Sequence, residues 1–262
     1  MIEFKNENPQ EVRKIISEEI IKGPTAGMCA GYVQANLVIL PKKYADDFKI
    51  FASKNPKSCP VLEVLDEGSV HTRVIAKDAN IATDIPKYRI YRNGELVEEC
   101  FNIENYWQDD FVSFLIGCSF TFESALLDAG IEIRHITMGR NVPMYKTNIM
   151  CEEAGAFKGP MVVSMRPIAK DNVEEVVRIT KQFPRVHGEP VHIGNPKEIG
   201  IEDINTPDYG DSVEIKTGEI PVFWACGVTP QAAAEQAKPS IMITHAPGHM
   251  FIADIRNEQL IK

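Results

Sequence analysis

One run constrains the fold more than any other: Pro221-Val222-Phe223-Trp224-Ala225-Cys226-Gly227-Val228-Thr229-Pro230-Gln231-Ala232-Ala233-Ala234. Its first part is apolar and rich in strand-forming side chains. Gly227 interrupts it, and Thr229 and Pro230 then supply a cap and a first position for an alanine-rich helix. A strand that turns directly into a helix belongs to a mixed α/β chain. The unpaired N–H groups of such a helix start can hold a carboxylate or phosphate without any Lys or Arg. Cys226, Gly227 and Thr229 are therefore candidate substrate-binding residues, with an ordinary strand–helix connection as the alternative reading.

The remaining chain supports the same class. Asn8, Pro9 and Glu11 signal a helix start, and Val12, Ile15, Ile16 and Ile20 fall on one face of a helix running to Gly23-Pro24. Residues 32–40 read as a buried strand or short helix, and Tyr44, Phe48 and Phe51 suggest a helix after Pro41. Residues 60–65 read as a strand. Asn93-Gly94 within residues 89–97 marks a hairpin with a type I′ turn. Residues 106–129 are expected to be helical in two pieces, broken near Gly117-Cys118-Ser119 and stopped by Gly130. Strands are expected at 161–165, 222–226, 241–244 and 251–255, and helices at 173–180 and 230–237. The expected architecture is a three-layer α/β body formed by residues 1–130 and 201–262, with a smaller two-layer α+β unit inserted at 131–200.

Charge and cysteine usage narrow the function. A net charge of −9 argues against nucleic acid or an anionic membrane surface as partner, since both need clustered Lys and Arg. No run approaches the roughly 18 apolar residues of a membrane span. The six cysteines are dispersed, with no Cys-x-x-Cys pair, which fits reduced thiols in the cytoplasm. A small anionic metabolite remains the expected partner, and self-association into a homo-oligomer stays open.

Several segments could carry chemistry. Cys118, at the start of an expected helix, would have a lowered pKa and could act as a nucleophile or line the site. A small residue at a tight junction explains it equally. His187, His192 and His245 sit in Gly/Pro loops and are candidates for proton transfer. His245 and His249 have the i, i+4 spacing of zinc ligands, but Pro247-Gly248 between them forbids a regular helix. Arg140 and Arg166 could each grip a carboxylate through a planar two-pronged hydrogen bond, with Tyr145 beside the first. Asp208, in an acidic turn with Asp203 and Asp211, could be a general base, a weak Mg²⁺ ligand, or the maker of an Asx turn.

Taken together, several motifs resemble the D-glutamate cyclase family, whose bacterial members carry a provisional hydro-lyase name. They include Gly23-Pro24-Thr25-Ala26-Gly27, Tyr32-Val33-Gln34-Ala35-Asn36, Asn55-Pro56-Lys57-Ser58-Cys59-Pro60 and Gly117-Cys118-Ser119-Phe120. Asn141-Val142-Pro143-Met144-Tyr145, Val163-Ser164-Met165-Arg166-Pro167 and Phe183-Pro184-Arg185-Val186-His187-Gly188 extend the match. Phe223 to Gln231 and Thr244-His245-Ala246-Pro247-Gly248 complete it over roughly residues 23–255. Two positions depart from the family pattern: Ala30 replaces a proline, and Asn195 replaces an aspartate.

The resemblance implies a lyase that removes water, with D-glutamate closing to 5-oxo-D-proline in the eukaryotic relatives, which carry an additional domain. Such a reaction needs a held carboxylate, a deprotonated amine, a folded chain and a departing water. Arg140 or Arg166 could orient one carboxylate and the helix start after Cys226 the other. His187, His192, His245 or Asp208 could take the amine proton. No organic cofactor is expected, and Mg²⁺ or Mn²⁺ are the metals to consider. The alternatives are a metal-dependent hydrolase or amidase using the paired histidines, and a non-catalytic metabolite-binding protein.

Overall fold

The computed structural model describes residues 4–261. Asn8 caps the first helix, α1 (Pro9–Ser17), its side-chain oxygen accepting from the Gln10 N–H at 2.9 Å. The helix stops at Ser17, not at Gly23. Glu19 takes φ +56°, a left-handed geometry that cannot continue a right-handed helix, and Ile20 is left 67% exposed. Next come β1 (Tyr32–Pro41), α2 (Lys42–Lys54) and β2 (Val61–Val64). The Asn-Gly hairpin is β3 (Tyr88–Arg92) and β4 (Glu95–Cys100), with Asn93 and Gly94 at φ +53° and +84° as a type I′ turn requires.

The expected helix over 106–129 is corrected by the structure. Residues Phe111–Gly117 form a strand, β5, and only Phe120–Asp128 is helical, as α3. β5 lies between β2 and β1, with Val112 its one partly exposed residue, so the sequence shows a nearly continuous apolar run instead of alternation. Such a run has the same signature as a buried helix. The chain then continues through α4 (Arg134–Thr137), β6 (Met144–Met150), β7 (Pro160–Ala169), α5 (Val173–Thr180), β8 (His192–Ile193), β9 (Glu219–Ala225), α6 (Thr229–Ala237), β10 (Met242–His245) and β11 (Phe251–Arg256).

These elements form a mixed α/β fold with two antiparallel sheets. The larger has seven strands in the order β2-β5-β1-β10-β3-β4, with β11 also pairing β1. The smaller has four, in the order β6-β7-β9-β8. Three of its strands come from residues 144–193, and the fourth is β9, the strand that opens the Pro221 run.

Period-2 alternation sorts β1 into two faces. Ala35, Leu37 and Ile39 join a core with Leu115, Phe122, Val222 and Trp224, which ties α3 and the smaller sheet to one face of the larger. Val38 and Leu40 join Phe48 and Phe51 of α2 on the opposite face. There Phe48 meets Phe114 and Phe157 edge-on, with ring centroids 4.7 and 5.3 Å apart. Buried aromatic side chains of this kind each contribute roughly 1.5–3 kcal/mol. Gln34 and Asn36 share the second face by parity, and they are the two polar side chains of an otherwise apolar strand.

Candidate functional site

Gln34 and Asn36 organise the loops around them. The Thr25 hydroxyl donates to Gln34 Oε1 at 2.7 Å, and the Gln34 amide donates to the Thr25 carbonyl at 3.0 Å. Thr25 in turn receives the Met250 N–H at 3.0 Å and donates its own N–H to the Gly248 carbonyl at 2.9 Å. The Asn141 amide donates to the Pro247 carbonyl at 2.9 Å. Asn36 donates to the Gly117 carbonyl at 2.8 Å, and the Cys118 N–H donates to the Gln34 carbonyl at 3.2 Å. A Cβ on Gly227 would lie 1.9 Å from the Asn36 amide nitrogen, so only glycine fits there. Loops around residues 25, 117 and 227 thus meet on two side chains of β1, and those around 247 and 141 join them through Thr25 and Pro247.

The strand-to-helix turn leads from β9, which ends at Ala225, to α6, which opens at Thr229 itself. Thr229 donates its hydroxyl to the Cys226 carbonyl at 2.7 Å and accepts the Val162 N–H at 3.1 Å. Cys226 and Cys118 are both buried and near each other. Burial pushes the Cys226 thiol up to about 11 and the Cys118 thiol far above its ordinary value. Neither is poised as a thiolate.

Behind this turn lies a charge network. Arg166, 0% exposed, donates through Nε to Glu123 Oε1 at 2.9 Å and through a second nitrogen to the same oxygen. Its other N–H groups reach the hydroxyls of Ser119 and Ser164, each at 3.0 Å. The guanidinium lies 5.3 and 5.4 Å from the ring centroids of Phe122 and Trp224. His135, stacked on Phe120, places Nε2 3.3 Å from Glu123 Oε1. Burial pushes the Glu123 carboxyl up, but His135 and Arg166 beside it reverse that and hold it below the usual carboxylate range. Arg166 is therefore committed to holding α3 against β7, with little capacity left to clamp a substrate.

His187, 1% exposed, lies between this network and the wall of an open cleft. Its Nδ1 lies 2.8 Å from the Lys57 carbonyl, which sets the proton on Nδ1. Its buried Nε2 faces the Gly117 main chain without completing a hydrogen bond. Burial pulls the imidazole down to about 4, so it is neutral at pH 7. His187 takes φ +84°, unusual for a side chain with a Cβ, and a Cβ on Gly117 would sit 2.1 Å from the Arg185 carbonyl. His187 lines a cleft of about 400 Å³ with Lys57, Lys181 and Glu189. Burial lowers the Lys57 ammonium, whose Nζ lies 3.5 Å from the Pro190 carbonyl.

The other expected site residues lie elsewhere. Tyr145 pairs with Val163 in the smaller sheet, and His192 pairs with Phe223. Both point to the sheet face away from Arg166, because Val163 and Arg166 differ by an odd number of residues. Tyr145 donates to the Ile204 carbonyl at 2.6 Å, and His192 Nε2 lies 2.8 Å from the Asn195 carbonyl. Asp208 is exposed and accepts the Lys146 N–H at 2.8 Å. Arg140 is exposed and donates to the Ser212 carbonyl at 2.5 Å. His245 is buried on β10, where its Nδ1 accepts the Leu37 N–H at 3.1 Å, and burial pulls it down to about 3. Among the described residues, no group of three or more His, Cys, Asp or Glu is placed to hold a metal ion.

Cys118, Cys226, Gly227, Thr229, Arg166 and His187 thus come together, and Arg140, Tyr145, His192 and Asp208 do not. Sequence reasoning passed over Gln34, Asn36, Lys57, Glu123 and His135. Polar residues inside an apolar strand were the available signal for Gln34 and Asn36. Lys57 stood only within the Asn55–Pro60 motif, and for His135 the sequence offered nothing, since its partner Glu123 lies 12 residues away.

The sequence profile of the D-glutamate cyclase family matches residues 112–254. A protein of Thermoanaerobacter sp. strain X514, provisionally named a hydro-lyase, is 59% identical over 99% of this chain and 98% of its own. Proteins with the same provisional name from Clostridium beijerinckii and Bacillus subtilis strain 168 are also 59% identical. They cover 98% and 96% of this chain and 98% of their own. Among solved structures, a nitrogen repressor-like protein of Methanococcus jannaschii aligns over 93% of this chain and 97% of its own. Its TM-score of 0.39 and 11% identity carry no argument.

Proposed function

We propose, from the premise that this chain belongs to the D-glutamate cyclase family, that it is a hydro-lyase acting on a small amino or hydroxy acid, with D-glutamate closing to 5-oxo-D-proline as its reaction. The observation that carries this reading is a solvent-open cleft rimmed by Lys57 and Lys181, with the neutral imidazole of His187 buried in its wall. An imidazole that is neutral at pH 7 can accept a proton; the Lys57 carbonyl holds its tautomer and leaves Nε2 as the accepting atom, which substrate must reach past the Gly117 main chain.

In this reading the two lysines attract the substrate's carboxylates. Those carboxylates bring negative charge beside His187 and raise its affinity for a proton. The substrate ammonium gives a proton to His187, and the freed nitrogen attacks the carbon of the γ-carboxylate. A C–N bond forms, the nitrogen sheds its second proton, and the C–O bond breaks as the departing oxygen takes both protons, relayed through His187, and leaves as water. Confinement of the five-carbon chain in its cyclic rotamer lowers the entropic part of the barrier. Gly117, pinned against Arg185, and the Arg166–Glu123 network fix the backbone that borders the imidazole.

No helix among the described residues is long and apolar enough to cross a membrane. All six cysteines are free, which suits a reducing, cytoplasmic setting. The test is incubation of the purified protein with D-glutamate, L-glutamate and 5-oxo-D-proline, each with and without Mg²⁺ or Mn²⁺, followed by chiral chromatography. Enzyme-dependent exchange between D-glutamate and 5-oxo-D-proline is expected. No exchange under any condition removes D-glutamate as the substrate.

A further inference from the structure

The His187 cleft does not end at His187. Pro56 and Pro184 line it, and the same two residues line a second compartment of about 470 Å³. The second compartment is mainly apolar. Its wall includes Pro60 and, from β2, the edge strand of the larger sheet, Val61 and Val64, the last 37% exposed. Binding sites that enclose a whole organic ligand run roughly 300–1,000 Å³, so each compartment alone exceeds what a five-carbon acid fills.

The charge along this groove runs against that of the chain. The protein carries a net −9, yet the joined compartments are lined by Lys49, Lys57, Lys181 and Arg185, opposed by the single carboxylate of Glu189. Lys181 lies 3.6 Å from Glu189, which also acts on Lys57 through space, so one carboxylate faces four cationic side chains. A cationic end joined to an apolar trough fits an anion with a hydrophobic arm.

We propose that the groove binds a carboxylic amino acid derivative bearing an apolar arm, such as an N-acyl or aryl-substituted acid. Its carboxylate lies between Lys57 and Lys181, and its arm lies along Pro56, Pro184 and Val64. The inference rests on the reading of the His187 cleft as the substrate site, and it widens the class of molecule that the site accepts. An arm that buries about 60 Å² of apolar surface strengthens binding on the order of ten-fold.

The test is calorimetric titration of the purified full-length protein with D-glutamate and with N-benzoyl-D-glutamate, alongside the Val64→Asp and Lys57→Ala variants. N-benzoyl-D-glutamate is expected to bind about ten-fold tighter than D-glutamate. Val64→Asp is expected to bring the two affinities within about two-fold, and Lys57→Ala to weaken both ligands. Equal affinities in the wild-type protein, or a benzoyl gain that survives Val64→Asp, would overturn the inference. D-glutamate turnover with no benzoyl gain would leave the cleft as the substrate site and remove only the apolar arm. Binding of neither ligand would overturn both.

Discussion

Replacing Glu123 with Gln isolates the charge on which the loop junction depends. Arg166 is 0% exposed. Two of its N–H groups end on Glu123 Oε1, and two reach the Ser119 and Ser164 hydroxyls. Glu123→Gln keeps the shape and an acceptor oxygen but removes the carboxylate that contacts Arg166. The hydroxyls and the Phe122 and Trp224 rings remain, each worth on the order of 1 kcal/mol. An uncompensated buried charge costs roughly 3–5 kcal/mol. We therefore expect Glu123→Gln to lose about 3 kcal/mol, the lower end because the amide oxygen still accepts. Urea unfolding followed by tryptophan fluorescence measures this directly, since Trp224 packs against Arg166. The double variant Glu123→Gln, Arg166→Met removes the stranded charge and is expected to recover about 2 kcal/mol relative to Glu123→Gln. A Glu123→Gln protein within about 1 kcal/mol of wild type, or a double variant no more stable than the single, would refute the reasoning.

Three further outcomes follow from the same structure. His187 and His245 are held neutral by burial at about 4 and about 3, below the unfolded value near 6.5, so the unfolded state binds more protons in between. Stability should be full above pH 6.5 and fall as pH drops toward 4, by an upper bound of roughly 3 kcal/mol for His187 alone. A urea midpoint that stays flat from pH 7 to 4 would contradict this. Gly117→Ala drives a Cβ to 2.1 Å from the Arg185 carbonyl and should cost about 2 kcal/mol or more, whereas Gly130→Ala meets only its positive φ and should cost about 1 kcal/mol. Denaturant midpoints that rank the two the other way would sink that argument. Among the cysteines only Cys100 is partly exposed, so a thiol reagent should label it first in the native protein; prompt labelling of Cys118 or Cys226 would count against their burial.

The elements that the sequence disclosed are those with local signals. Asn8-Pro9 at α1, Asn93-Gly94 at the hairpin and Thr229-Pro230 at α6 each state their geometry within three residues. β5 was misread because burial on both faces erases the alternation that distinguishes a strand from a helix. Strand parity, invisible without the pairing register, separates Tyr145 and His192 from Arg166 even though all three sit in one sheet. Arg166 itself was legible as a functional candidate, but its partner Glu123 lies 43 residues away and decides what it does. His187 was readable as a loop histidine. Its neutrality comes from burial against Gly117 and Lys57, which only the fold brings to it.

The central claim is that the cleft lined by His187 is where water is removed from a small amino acid. It is tested most directly by comparing wild type and His187→Gln for conversion of D-glutamate to 5-oxo-D-proline, with folding of both verified by their urea midpoints. The variant is expected to bind D-glutamate within a few-fold of wild type and to lose roughly 10²–10⁴ in kcat, the usual share of a general acid–base group. A folded His187→Gln protein that turns over D-glutamate at the wild-type rate would contradict the account.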